Sequence, residues 1–338
     1  MSSAVISPAR PEQILKGLGK LWTSLGEEEK QQGKPTVLRA CAMTLIVATD
    51  EPDEGFFASQ IISELMREHP SRGIVLAISE DAAEPEARVL AQCWKPFGKA
   101  QQICCEQIEI KARAESWPNL GPMLLALTAA DLPVVFWCRH QRAVSDATDE
   151  QMRGLETLLQ LASKTVIDTQ GSDPVPAFER IAKWRAENRV IADLEWTRLT
   201  PWREPLGHIF DNTARENKFS SFHTIEIAHC GEKPAPHELY LAGWLSAPYR
   251  ARVEFKPVTG YGSGLHAIVL RSDSETITFE RTGPECVAIR STNGRSRRYS
   301  YSDTKVENLM KEELSIIGHD PAFDSAFERA REILRERS

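Results

Sequence analysis

A chain of 338 residues with 41% apolar and 26% charged side chains is longer than one hydrophobic core commonly serves, so two globular domains are expected and the composition argues against wholesale disorder. Its net charge of -7 argues against nucleic-acid binding, because phosphates are neutralised by basic surfaces; a protein or small-molecule partner fits better. Met1 to Arg10 lacks the apolar run of a signal peptide, and runs such as Ala40 to Ala48 and Leu132 to Cys138 fall short of the ~20 residues that cross a bilayer. The expectation is a soluble cytoplasmic protein without membrane contact.

In chain order, Ile14, Leu15, Leu18, Leu21, Trp22 and Leu25 recur at helical spacing and predict an amphipathic helix ending at Gly26. Val37 to Thr49 reads as one buried strand, and Phe56, Phe57, Ile61, Ile62, Leu65 and Met66 as a helix stopped near Pro70. Ile74 to Ser79 predicts a strand, Glu86 to Cys93 a short helix, Ile103 to Ile110 a strand, Leu120 to Ala130 a helix and Pro133 to Cys138 a buried strand. Thr148 with Gln151 spells a capping box for a helix running to Ala162, and Thr165 to Asp168 closes the series as a strand. Strands alternating with helices predict an α/β domain over residues 1–172, with a doubly wound, mainly parallel sheet.

The turn-rich run Gly171 to Pro176 marks the expected boundary, and residues 173–338 follow a different grammar. Phe178 to Asn188 predicts a helix, Asp193 to Phe210 a tryptophan-rich helical segment, Phe222 to Cys230 an alternating strand and Pro236 through Trp244 a helix. Strands at Ala251 to Lys256, His266 to Arg271, Glu275 to Glu280, Cys286 to Arg290 and Arg297 to Tyr301 follow without intervening helices, which predicts antiparallel hairpins and an α+β domain. Two helices end the chain; Gly318 suits a left-handed stop, and Asp320-Pro321 suits an N-cap and first helical position.

The search for chemistry yields no complete catalytic set. The first strand runs into Asp50-Glu51-Pro52-Asp53-Glu54, whose carboxylates would repel a pyrophosphate, and no glycine-rich turn follows it. The glycine cluster Gly260 to Gly264 precedes a strand and so lacks a helix N-terminus for phosphate. Neither a Gly-x-Ser-x-Gly elbow nor a His-Glu-x-x-His pair occurs, and Cys138 with His140, or His229 with Cys230, stand without a second pair at zinc spacing, so no cofactor and no metal are expected. Arg295, Arg297 and Arg298 follow the turn Asn293-Gly294 and suit either an anionic partner or solvated charge guarding a strand edge. The seven cysteines, scattered through apolar contexts, do not resemble a secreted disulfide framework and fit a reducing compartment. Vicinal Cys104 and Cys105 are redox candidates, although alternation along a strand points their thiols to opposite faces.

The densest feature is Asp193-Leu194-Glu195-Trp196-Thr197-Arg198-Leu199-Thr200-Pro201-Trp202-Arg203-Glu204. Tryptophan and arginine dominate interface hot spots because each offers large area with directional bonding or stacking, so Asp193, Trp196, Thr197, Arg198, Trp202 and Arg203 read as a partner-contact surface. From physics alone, an internal weld of the helix to its domain is an equal alternative. This run resembles the signature of the glucose-6-phosphate dehydrogenase assembly protein (OpcA) family, Asp-Leu-x-Trp-Thr-Arg-Leu-x-x-Trp-Arg, and Leu132 to Trp137 is similar to that family's Leu-Pro-Val-Val-x-Trp strand. The family pattern continues with a second tryptophan where this chain has Cys138. The resemblance implies a bacterial cytoplasmic, non-catalytic protein that binds glucose-6-phosphate dehydrogenase, promotes its active oligomer and raises its activity. The rival expectation is a sugar-phosphate enzyme or sensor with an interdomain site that uses Arg198, Arg203 or the Arg295 to Arg298 loop.

Overall fold

The computed structural model describes all residues except 1–2, 32–36, 51–53, 79–83, 99–100, 114–116, 140–148, 211–221, 249–250, 260–263, 284, 295, 301–303, 317 and 338. Contacts divide the chain into two units. Unit 1 takes Met1–Asp168, Lys183–Ile191 and Met310–Gly318, and unit 2 takes Thr169–Ala182, Ala192–Leu309 and His319–Ser338. No described helix is long and apolar enough to cross a membrane.

Unit 1 is α/β. Its elements are β1 (Ser3–Ile6), α1 (Pro11–Gln31), β2 (Leu38–Arg39), β3 (Met43–Thr49), α2 (Glu54–Leu65), β4 (Ser71–Ile78), β5 (Glu86–Trp94), β6 (Ile103–Ala112), α3 (Trp117–Leu127), β7 (Val134–Cys138), α4 (Asp149–Leu161) and β8 (Lys164–Ile167). The sheet order is β1-β5-β6-β4-β3-β7-β8, continued by β9 (Ile191–Asp193), with β2 also pairing β6. Strands β2, β3, β4, β6, β7 and β8 pair in parallel, whereas β5 is antiparallel to both β6 and β1. Every residue of β3 and β7 is buried, as expected of parallel strands covered on both faces. Lys164 anchors the chain's return into this unit: its Nζ donates to the Glu313 carbonyl at 2.9 Å and to Glu313 Oε2 at 3.0 Å.

Three sequence expectations change here. Glu86 to Cys93, read as a short helix, is strand β5, because ladders on both sides override a weak local preference. Val37 to Thr49 is two strands, with β2 on β6 and β3 between β4 and β7. The first helix, expected to end at Gly26, runs on to Gln31 as α1, and the N-terminal β1 carried no recognised signal. The Thr148 cap lies outside the described residues.

Unit 2 is α+β. Helices α5 (Pro174–Ala186), α6 (Leu194–Thr197), α7 (Thr200–Phe210), α8 (Pro236–Ser246) and, after α9 (Val306–Leu314), α10 (Pro321–Arg337) accompany strands β10 (Thr224–Cys230), β11 (Arg252–Pro257), β12 (Gly264–Arg271), β13 (Thr276–Gly283), β14 (Cys286–Ser291) and β15 (Ser296–Ser300). The second sheet has the order β11-β10-β12-β13-β14-β15. The four strands β12 to β15 form the expected antiparallel meander, but β11 runs parallel to β10, since α8 carries the chain back over the sheet between them. Asp320 caps α10 as expected, its Oδ1 accepting from Ala322 N at 2.9 Å and Phe323 N at 3.2 Å. Gly318, by contrast, is not among the left-handed glycines.

An aromatic core closes unit 2. Phe178 stacks on Tyr240 at 5.0 Å, and Phe323 meets Tyr240 at 5.4 Å and Trp196 at 5.8 Å between ring centroids. Helices α8 and α10 approach so closely at Gly243 that a Cβ there would overlap the Ala326 carbonyl. This core is the frame in which the tryptophan-rich segment sits.

Candidate functional site

Asp193 ends β9 and caps α6 in extended conformation (φ -122, ψ 124), its side chain accepting from Glu195 N at 3.0 Å. The same carboxylate accepts from Thr169 N at 3.1 Å, Thr169 Oγ1 at 2.6 Å and the Tyr240 hydroxyl at 2.7 Å, all at full burial. A buried carboxylate persists only when hydrogen bonds replace its hydration, and these four donors do so. Burial and the facing Asp193 charge push the Tyr240 hydroxyl well above its ordinary pKa, so it remains a donor.

The tryptophans point inward as well. Trp196 is 2% exposed and Trp202 3%. Trp196 Nε1 donates to Asp320 Oδ2 at 2.9 Å, tying α6 to the cap of α10, and the Arg203 guanidinium lies 3.8 Å over its ring. Arg203 Nη2 also donates to Thr200 Oγ1 at 2.9 Å in the first turn of α7. Asp193, Trp196, Thr197 and Trp202 therefore serve the interior, and direct partner contact through them is corrected to a supporting role: each is at most 3% exposed. Arg198 and Arg203 are only partly buried, so contact at these two remains open as a proposal.

Beside this hub runs a chain of charges. Arg198 Nη1 meets Glu195 Oε1 at 2.6 Å, Glu195 Oε2 meets His237 Nδ1 at 2.6 Å, and His237 Nε2 meets Glu238 Oε1 at 3.0 Å. Glu238 Oε2 in turn accepts from Ala235 N at 2.7 Å at the start of α8. Burial opposes charge on His237, but hydrogen bonds and charge from Glu195 and Glu238 outweigh it and push the imidazolium up to about 10. Burial likewise opposes ionisation of Glu195, yet His237 and Arg198 hold its carboxyl below the ordinary range. A histidine locked in this way is a fixed cation at neutral pH, suited to holding geometry and unsuited to acting as a base. Gly264, at φ +90, lets β12 begin against the ring, since a Cβ there would stand 3.0 Å from His237 Nε2. Nearby His229, buried on β10, has its pKa lowered, first by burial.

Sequence reasoning missed Thr169, Glu195, His237, Glu238 and Tyr240 as members of this network. The one local hint was Pro236 with Glu238, an acidic residue in a first helical turn. Arg297 and Arg298 are exposed on β15, at an edge of the second sheet, while Arg295 and, from the glycine cluster, residues 260–263 lie outside the described residues. Among the described residues no group of three or more His, Cys, Asp or Glu could hold a metal ion. Cys104 is bonded to Cys93 on the neighbouring strand, and Cys105 is a buried free thiol.

Two domain families match the chain. Residues 62–183 match the glucose-6-phosphate dehydrogenase subunit N-terminal domain, and residues 189–327 match the corresponding C-terminal domain. The chain belongs to the OpcA family. Curated relatives named OxPP cycle protein OpcA include one from Synechocystis sp., 27% identical over 269 residues that cover 75% of this chain and 53% of the relative. Another, from Nostoc punctiforme, is 27% identical over 206 residues, 59% of this chain and 41% of the relative. The chain thus spans about half the length of the curated relatives it matches. Among solved structures, the regulator Gal80p from Kluyveromyces lactis has a TM-score of 0.48 at 9% identity, over 91% of this chain and 94% of its own. Apo scyllo-inositol dehydrogenase from Lactobacillus casei has a TM-score of 0.45 at 9% identity, over 87% and 95%. These likenesses are too distant to bear on chemistry. The hub described above, with Asp193 and Trp196, lies within the residues that match the C-terminal domain.

Proposed function

We propose that this chain is a non-catalytic cytoplasmic partner of glucose-6-phosphate dehydrogenase that binds the enzyme's active oligomer, stabilises it and raises its activity. The observation that carries the reading is that matches to domains described as parts of that dehydrogenase extend over both units. The physical requirement is differential binding: a partner that holds the active oligomer more tightly than the inactive form shifts the population toward it, and a tenfold preference corresponds to about 1.4 kcal/mol. A rigid frame supports such discrimination. With Asp193, Trp196 and Glu195 immobilised in the interior, Arg198 and Arg203 are held in place at its margin, and Arg297 and Arg298 stand exposed on β15 to meet an acidic surface.

The test adds purified protein to the dehydrogenase of the same organism and records rate against glucose 6-phosphate, with size-exclusion chromatography of the mixture. The expected result is co-elution and a higher rate at subsaturating substrate. Unchanged kinetics without co-elution would overturn the proposal.

A further inference from the structure

Unit 1 contains a sulfur–sulfur bond between Cys93 of β5 and Cys104 of β6. The two residues face each other directly in antiparallel register, one pair before Trp94 and Ile103 end the ladder at its turn. Cys93 is exposed, whereas Cys104 is fully buried. A soluble thiol therefore reaches the bond from the Cys93 side and is kept from the Cys104 side by packing.

Neighbouring thiols do not compete for the bond. Cys105 donates to the Ala40 carbonyl at 3.3 Å, and burial pushes its thiol up to about 11, so at neutral pH it stays protonated and is a poor internal nucleophile. Cys41 donates to the Met43 carbonyl at 3.4 Å. Ties that do not pass through sulfur hold the same strands. The β5–β6 ladder runs unbroken from Glu86 opposite Lys111 to Trp94 opposite Ile103, and β5 is held on its other side by β1. Two residues beyond Cys104, Glu106 accepts from Trp22 Nε1 at 2.9 Å and Arg39 Nη2 at 2.8 Å, ties that do not pass through sulfur. The hairpin thus has the means to persist with the bond open or closed.

We propose that Cys93–Cys104 is a reversible redox modification site, opened by a dithiol reductant that attacks Cys93. A thiolate of the reductant forms a bond to Cys93 Sγ as the Cys93–Cys104 bond breaks, and the electron pair leaves on Cys104 Sγ, which takes up a proton. The reductant's second thiolate then attacks the reductant sulfur of this mixed disulfide and expels Cys93 as a thiolate, which is protonated in turn. The protein pair gains two electrons and two protons, and the dithiol becomes a disulfide. In disulfide-poor compartments, bonds of this kind are characteristically transient or redox-sensing.

The test uses the full chain under native conditions. Protein equilibrated with oxidised dithiothreitol is transferred to reduced dithiothreitol, alkylated with N-ethylmaleimide and analysed by peptide mass spectrometry and circular dichroism. The expected result is that Cys93 passes from unlabelled to labelled while the native spectrum is retained, that buried Cys105 and Cys138 stay unlabelled, and that oxidised dithiothreitol restores the bond. Cys104→Ser should leave Cys93 labelled under both conditions. Labelling of wild-type Cys93 in oxidised dithiothreitol would overturn the proposal because no bond forms; a bond that resists reductant until the chain is denatured would overturn it as a structural disulfide. Neither outcome depends on dehydrogenase binding, so this proposal and the proposed function can fail separately.

Discussion

Replacement of Asp193 separates an interior role from a contact role most cleanly. Its carboxylate accepts from Thr169 N and Oγ1, Glu195 N and the Tyr240 hydroxyl at 2.6–3.1 Å, with no exposure to solvent. Asp193→Ala strands four buried donors, each costing about 1–3 kcal/mol, so after partial relaxation the loss is roughly 4–8 kcal/mol, of the same order as the whole stability of a domain. Asp193→Asn keeps one carbonyl acceptor for the backbone donors and should cost roughly 2–3 kcal/mol, while Tyr240→Phe removes a single donor at about 1–1.5 kcal/mol. The expected order of destabilisation is therefore Asp193→Ala, Asp193→Asn, Tyr240→Phe. Urea unfolding followed by tryptophan fluorescence reads it directly, because Trp196 and Trp202 lie in the same core. An Asp193→Ala protein with the wild-type midpoint but no effect on the dehydrogenase would refute the interior assignment and return Asp193 to the partner surface.

His237 gives a pH signature. Its folded-state pKa is raised from 6.5 to about 10, so its stabilisation is fully present below pH 6.5 and is lost as pH rises through about 10. The melting temperature of the wild type should fall over that window by more than that of His237→Gln, and parallel profiles would count against the clamp. Gly243→Ala should destabilise by at least about 2 kcal/mol, since its Cβ would overlap the Ala326 carbonyl and force α8 from α10; a shift below about 0.5 kcal/mol in a denaturant titration would contradict the close approach. Arg297→Ala with Arg298→Ala, both exposed, should leave stability within about 0.5 kcal/mol of wild type while weakening dehydrogenase binding in a titration, more so at low salt; unaltered affinity would remove β15 from the contact surface.

Periodicity and punctuation made much of the architecture legible in the sequence. Continuous apolar runs such as Val134 to Cys138 specified buried parallel strands, and alternation in Thr224 to Cys230 specified a strand with one buried face. Asp320-Pro321 announced the start of α10, and the run from Asp193 to Arg203 identified the family. These signals are local, because backbone geometry repeats over a few residues and a cap or signature lies within a dozen.

Tertiary structure decided which way the signature faces. Composition marked Trp196 and Trp202 as large and directional, but the partner of Trp196 Nε1 is Asp320, 124 positions away, and the hydroxyl that satisfies Asp193 comes from Tyr240, 47 positions away. The same holds for Glu86 to Cys93, which became a strand only because β1 and β6 flank it, and for Cys104, whose partner is the cross-strand Cys93 and not the adjacent Cys105. Burial is a property of what packs against a residue. The residue types and helical setting of Asp193 to Arg203 were thus determined by the sequence itself, while its role as an internal frame was decided by distant residues that fold over it.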